Sequence, residues 1–143
     1  MNSGDIELIR EFNRFYTKVL GLLDQHLLHS PYSLPEARIL YELYHQQPCT
    51  ASAIMATVEM DKGYLSRVLA LFTRKGLLTK KKSQDDGRAT FLSLTVKGNS
   101  EFEKINQASV DQIKTMVKTL SGSEQLNLVK HMKSIQEILN SVK

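Results

Sequence analysis

The chain has one cysteine in 143 residues, so it can close no internal disulfide and needs no oxidising compartment. No apolar run is long enough to cross a bilayer, and the first residues lack the apolar core of a secretion signal. The expectation is therefore a cytoplasmic protein with no membrane partner. No glycine-rich phosphate loop, zinc-protease helix motif or nucleophile elbow occurs, so no catalytic residue, no cofactor and no enzymatic activity are assigned. Internal repeats, low-complexity tracts and flexible linkers are also missing. Four histidines are present, and two of them, His26 and His29, stand three apart, a spacing that puts side chains on adjacent turns of a helix. No acid-rich cluster accompanies them and Cys49 is distant in sequence, so no metal site is assigned. What remains is an ordinary globular composition, 41% apolar and 24% charged, the size of one domain. Its net charge of +4 favours a polyanionic partner.

The charge is concentrated. Residues 62–88 contain eight Lys/Arg (Lys62, Arg67, Arg74, Lys75, Lys80, Lys81, Lys82, Arg88) and two acids (Asp85, Asp86), so this stretch is +6 and the rest of the chain is −2. The stretch begins as a helix. Asp61 is a candidate N-cap, and Leu65, Val68, Leu69 and Phe72 recur at i, i+3, i+4 and i+7. The opposite face carries Gly63, Arg67, Ala70 and Arg74, flanked by Ser66 and Tyr64. Two small residues there allow close approach to a surface, and the two arginines offer forked donors for phosphates and guanine edges. Gly76 is placed to end the helix in a left-handed conformation. Two strand-like runs follow, Leu77–Lys82 and Ala89–Leu94, joined by the turn-forming Ser83-Gln84-Asp85-Asp86-Gly87. A basic helix beside a basic hairpin is the footprint of a reader helix with a wing.

The rest of the chain is helical by its periodicity. A long helix is expected from Asp5 to Leu28, with Ile6, Ile9, Phe12, Tyr16, Val19, Leu20 and Leu23 on one stripe and Phe15, Leu22 and Leu27 widening it. Ser33 and Glu36 have capping-box spacing, with Pro35 in the first turn, and that helix runs to about Gln46 through Ala37, Leu40, Leu43 and Tyr44. Thr50 caps a short helix with Ile54, Met55 and Val58, and the turn Glu59-Met60 leads to Asp61. Two short helices joined by a tight turn, the second basic, form the helix-turn-helix order. Thr95 caps a helix expected to reach Leu120. Ser121 and Glu124 offer a second capping box for a last helix to about Ser141.

Asp86-Gly87-Arg88 followed by Leu92-Ser93-Leu94-Thr95 and Gly98 resembles the D-x-R…L-x-L-T-x-x-G signature of MarR-type winged helix-turn-helix regulators. Leu34-Pro35-Glu36-Ala37-Arg38-Ile39-Leu40 and Gly63-Tyr64-Leu65-Ser66-Arg67 fit the same pattern. With Gly21-Leu22-Leu23-Asp24, they are most similar to the regulator half of MarR–acetyltransferase fusions. Gly87 stands where many members carry a second arginine.

The expected fold is mainly α with a small β-hairpin wing: a winged helix-turn-helix whose helical dimerisation region comes from both termini. Residues 1–143 are expected to form a single MarR-type domain, with 30–98 as the DNA-reading unit and 5–28 and 99–142 as the dimerisation region. The terminal helices carry more apolar surface than a small winged core can cover, which points to a homodimer. The expected partner is double-stranded DNA. The contact residues are Lys62, Gly63, Tyr64, Ser66, Arg67, Arg74, Lys80, Lys81, Lys82, Asp86 and Arg88. Among them Arg67 and Ser66 would reach base edges, the three lysines phosphates, and Arg88 the minor groove, with Asp86 orienting Arg88 or the turn. The resemblance also implies a small aromatic or amphipathic effector, for which Phe12, Phe15, Tyr16, Tyr41 and Tyr44 are the candidate contacts. The expected function is a sequence-specific regulator, by family default a repressor on a palindromic operator. The alternatives are a protein-interaction module on the same scaffold and a metal- or thiol-gated regulator.

Overall fold

The computed structural model describes residues 1–21, 29–85 and 87–142. In these, six helices and two strands follow one another as α1 (Ser3–Val19), α2 (Leu34–Gln46), α3 (Ala51–Val58), α4 (Lys62–Arg74), β1 (Leu78–Lys82), β2 (Thr90–Leu94), α5 (Val96–Val117) and α6 (Gly122–Asn140). The chain forms two compact units, Met1–Asn106 and Gln107–Lys143, and α5 contributes to both.

The caps follow the sequence closely. Ser33 Oγ accepts from the Glu36 amide while the Glu36 carboxylate accepts from the Ser33 amide, a complete capping box at α2. Thr50 Oγ1 accepts from Ala53 N at α3, and Asp61 Oδ2 accepts from Tyr64 N at α4. Glu59, at φ 51°, turns the chain between α3 and α4. At α6 only half of the expected box forms. Ser121 Oγ accepts from Glu124 N, but the Glu124 carboxylate accepts from the Ser121 hydroxyl and does not reach back to the Ser121 amide.

The first helix is shorter than its periodicity suggests. It starts at Ser3, where Asn2 Oδ1 accepts from Asp5 N, and ends at Val19 instead of Leu28. The reason is Gly21, which sits at φ 70° and directs its N–H to Lys18 O, closing the last turn as only a residue without Cβ does at low cost. Leu22, Leu23, Leu27 and Leu28 lie outside the described residues. So does His26, while His29 lies beyond α1 at φ 59°.

The core of the first unit gathers one face from each reading element. Ile39, Leu40 and Leu43 of α2, Ile54 of α3, Leu65, Val68, Leu69 and Phe72 of α4, and Leu77, Leu78, Leu92 and Leu94 around the hairpin are all buried, with Phe102 and Ile105 from α5. The predicted α4 stripe is thus the buried stripe. No residue of α1 or α6 is buried; Ile6, Leu8, Ile9, Phe12 and Phe15 are exposed on α1, and Leu126, Val129, Ile135, Ile138 and Leu139 on α6.

β1 and β2 pair antiparallel with Leu78 opposite Leu94, Lys80 opposite Leu92 and Lys82 opposite Thr90. Cys49, just before α3, adds a bridge on the other side of β2, donating to Leu92 O (3.1 Å) and accepting from Leu92 N (2.6 Å). β2 is therefore held between β1 and the α2–α3 connection, which anchors the hairpin to the helical core.

Candidate nucleic-acid interface

Helix α4 presents Lys62, Gly63, Ser66, Arg67 and Arg74 to solvent, with Gly63, Arg67 and Arg74 opposite its buried stripe and Lys62 and Ser66 at its edge. Arg67 leans toward the helix N-terminus, as long helical side chains do. Its Nη1 lies 3.3 Å from where a Cβ on Gly63 would be, so the missing side chain at 63 makes room for the guanidinium. Tyr64 differs from the expected outward position: it is half-buried and packs against the core, which leaves its ring less available than the arginines.

The wing lysines are all exposed, but the pleat divides them. Residues directly opposite across an antiparallel pair share a face, and neighbours along a strand alternate. Lys80 and Lys82 therefore share the face of Leu92 and Thr90, while Lys81 shares the opposite face with Phe91. The first of these faces borders a groove of about 310 Å³ between α3, α4 and the hairpin. Lys62 and Ser66 of α4, Lys80 and Thr90 of the wing and Ala51 at the start of α3 line it above Met55, Leu65, Leu69 and Leu92. Two lysines and two hydroxyl residues, from α4 and from the wing, thus line one concave surface. Thr90 and Ala51 were not among the residues singled out from sequence; the alternation Thr90-Phe91-Leu92 was the signal that places Thr90 on the groove side.

At the wing tip, Arg88 is exposed and Asp86 lies outside the described residues. A Cβ at Gly87 would meet open space, so the glycine there is not required by packing.

The base of the wing explains the Leu-Thr-x-x-Gly run. Gly76, at φ 75°, ends α4, and Leu77 N–H closes on Phe72 O at 2.9 Å. Thr95 then ties three elements together: its N–H donates to Leu77 O, its hydroxyl donates to Gly76 O (2.6 Å), and the same oxygen accepts from Gly98 N as the cap of α5. A Cβ on Gly98 would overlap the Leu77 carbonyl, so only glycine lets α5 approach this closely.

The candidate effector residues fall in two groups. Phe12 stacks on Tyr16 within α1, at 5.7 Å between centroids, and Phe15 is exposed. Tyr41 and Tyr44 of α2 pack with His45 around Phe102 of α5, Tyr44 at 4.3 Å and Tyr41 at 6.0 Å from the Phe102 centroid. His45 Nδ1 donates to Tyr41 O at 2.9 Å. Phe102 and His45 belong to this cluster although the sequence reading assigned them no role in it.

Two further groups have perturbed titration. Cys49 is buried, and burial pushes its thiol above the ordinary value, away from the reactive thiolate. Tyr32 is 3% exposed, meets Phe72 edge-on and donates its hydroxyl to Glu101 Oε2 at 3.3 Å. Burial first, then the Glu101 carboxylate, push its pKa up to about 12. Among the described residues, no three His, Cys, Asp or Glu side chains are grouped to hold a metal ion, and no helix is long and apolar enough to cross a membrane.

Residues 30–89, which contain this groove and the reader helix, match the model described as MarR family. The match covers this stretch, and the chain as a whole is similar to MarR-family proteins. Among curated proteins, the HTH-type transcriptional regulator YdgJ of Bacillus subtilis is 23% identical over 104 residues. That match spans 73% of this chain and 63% of YdgJ, a little under two thirds of its length. Of solved MarR-like structures, Streptococcus pneumoniae FabT in complex with DNA has a TM-score of 0.81 at 18% identity, covering 96% of this chain and 98% of FabT. The Streptomyces coelicolor regulator PcaV in complex with its natural ligand has a TM-score of 0.63 at 18% identity, covering 91% of this chain and 89% of PcaV. The fold is therefore a winged helix like that of MarR-family proteins, and YdgJ and PcaV are both described as transcriptional regulators.

Proposed function

We propose that the chain is a sequence-specific DNA-binding transcriptional regulator, with α4 in a major groove and the wing along the flanking minor groove. The observation that carries this reading is the convergence of Lys62 and Ser66 of α4 with Lys80 and Thr90 of the wing on one groove, beside the outward-facing Arg67. Arg67 and Ser66 read base edges, Lys62, Lys80 and Lys82 serve phosphates, and Arg88 enters the minor groove. That FabT, of the same fold, is in complex with DNA supports this assignment.

The regulator works as a homodimer on a palindromic operator and represses by occluding a promoter. The apolar side chains that α1 and α6 expose support pairing with a second copy, and two-fold protein symmetry calls for two-fold DNA symmetry. Residues 1–143 then act as one MarR-type domain, with 30–98 reading DNA and 5–28 and 99–142 forming the dimer interface, in the cytoplasm where the DNA lies. A small aromatic or amphipathic effector releases the DNA. PcaV, which holds its natural ligand, supports such control, and the Tyr41-Tyr44-Phe102 cluster is the candidate place. The kinship with regulator halves of MarR–acetyltransferase fusions rests on the sequence alone.

Selection of bound duplexes from a random DNA pool tests the reading. The expected result is an enriched site with two-fold symmetry and half-sites about 10–10.5 base pairs apart or a multiple of that. Failure to enrich any sequence, or binding insensitive to salt, would refute it and favour a protein-binding role.

A further inference from the structure

We propose that Gln47 is the positioning residue of the wing, setting the angle at which the hairpin meets DNA; this rests on the DNA-reading role proposed above. Gln47 is the residue that caps the C-terminal end of α2, and Pro48 follows it. Its side chain makes three hydrogen bonds to three different elements. Oε1 accepts from the Leu94 amide at the end of β2 (2.9 Å), Nε2 donates to Asn99 Oδ1 in α5 (3.0 Å), and Nε2 also donates to Tyr44 O in α2 (3.2 Å).

The chemistry of this position fits glutamine closely. Cys49 serves Leu92 through its own main chain, exchanging both bonds; the next amide along β2 on this side belongs to Leu94, opposite Gln47, whose own N–H closes on Leu43 O as the cap of α2. The Gln47 carboxamide supplies the acceptor that Leu94 takes. Asn99 is oriented to receive the other end, because its Nδ2 donates to Thr95 O (3.1 Å), which turns Oδ1 toward Gln47. The site needs one acceptor and two donors on one flat group. Glutamate supplies no donor, and methionine supplies neither.

Leu94 is where the hairpin leaves the core. From Leu94 to Arg88 the strand rises by about 20 Å, so a tilt of about 5° at the base moves the tip by roughly 2 Å. Thr95 and Gly98 fix this base against the end of α4, and Gln47 fixes it against α2. None of the side-chain partners of Gln47 belongs to α4, and Leu94 is the one that belongs to the wing, so its effect on DNA passes through the wing.

The experiment uses the full-length protein on one selected core site carrying either A·T-rich or G·C-rich flanks. Wild type, Gln47→Met, Arg88→Ala and the double variant are titrated, each at a temperature where circular dichroism shows it fully folded. Gln47→Met is expected to bring the ratio of affinities for the two flanks toward one, as Arg88→Ala does, with the double variant no worse than Arg88→Ala alone. Discrimination against a substituted base in the core stays at the wild-type level. A role confined to stability would instead lower binding to both flanks alike and leave their ratio unchanged, which would overturn the proposal. So would losses from Gln47→Met and Arg88→Ala that multiply in the double variant. If Gln47→Met does not fold, Gln47→Glu keeps the size and the acceptor for Leu94; a smaller fall in the same ratio is expected, and an unchanged ratio refutes the role. A wild-type ratio of one would refute the wing reading itself and the proposal with it, whereas an Arg88-dependent ratio that Gln47→Met leaves intact would refute only Gln47.

Discussion

Lys80 and Lys81 are neighbours of the same type and exposure, yet the pleat puts them on opposite faces, and this separates their expected roles. Lys80 borders the groove with Lys62 and Ser66; Lys81 lies beside Phe91 on the other face. The perturbation is Lys80→Ala compared with Lys81→Ala. Each phosphate contact contributes about 0.9 to the slope of log K against log salt. One contact per protomer, lost at both half-sites of a dimer, should lower that slope by about 1.8. Between roughly 50 and 200 mM salt, a slope of 1.8 corresponds to about 12-fold in affinity, so the two titration curves should converge visibly as salt rises. Lys81→Ala removes the same charge but no contact, and at physiological salt its field is screened beyond about 8 Å. Its slope should stay within about 0.3 of wild type by the same counting. Fluorescence anisotropy on the selected duplex across a salt series reads both values directly. Equal slope losses from Lys80→Ala and Lys81→Ala would refute the face assignment, and a larger loss from Lys81→Ala would place DNA on the other side of the hairpin.

Arg67→Ala should cost about 1–3 kcal/mol on the selected site and relax preference at one base position per half-site; an equal loss on scrambled DNA would make Arg67 a phosphate contact. Gly98→Ala forces a Cβ onto the Leu77 carbonyl and should destabilise the fold by about 1–3 kcal/mol in urea unfolding, unlike Gly87→Ala, where the space is open. Tyr32 carries a pH signature. Below pH 10 folded and unfolded chains both keep the phenol proton, and between the ordinary value of 10.0 and about 12 only the folded chain does. Stability therefore falls as pH rises through this window, by on the order of 2 kcal/mol when complete. Tyr32→Phe should remove that fall, so its stability relative to wild type should improve between pH 9 and about 11, measured by denaturant unfolding; a constant difference would show that Tyr32 titrates normally.

Much of the fold was legible because it depends on local rules. The α4 stripe, the caps at Ser33, Thr50 and Asp61 and the left-handed Gly76 each follow from spacing or from a single residue type, and each is present. The first helix was overextended because periodicity counts apolar residues and carries no weight for Gly21, whose conformation ends the helix at Val19. For the candidate site, composition located the basic stretch but did not divide it. Which lysines face α4 depends on the register of β1 against β2, and register is a pairing between distant residues that no single strand specifies.

Two polar residues that sequence reading passed over, Tyr32 and Gln47, share one property. Tyr32 bonds Glu101, 69 residues away, and Gln47 bonds Asn99, 52 residues away. Neither lies on a periodic stripe, and both residue types are at home in loops, so patterning alone treats them as connectors. Their meaning comes from where the chain returns. α5 comes back past the end of α2, which gives the polar groups of the α2–α3 connection partners that the local sequence does not supply. An amide left there without a partner would cost about 1–3 kcal/mol, so the return of α5 requires a residue like Gln47 that can satisfy β2, α2 and α5 at once. The Leu-Thr-x-x-Gly run was readable because it resembles a family signature, and the structure supplies a physical reason for it: Thr95 and Gly98 are the other half of the same clamp on the wing.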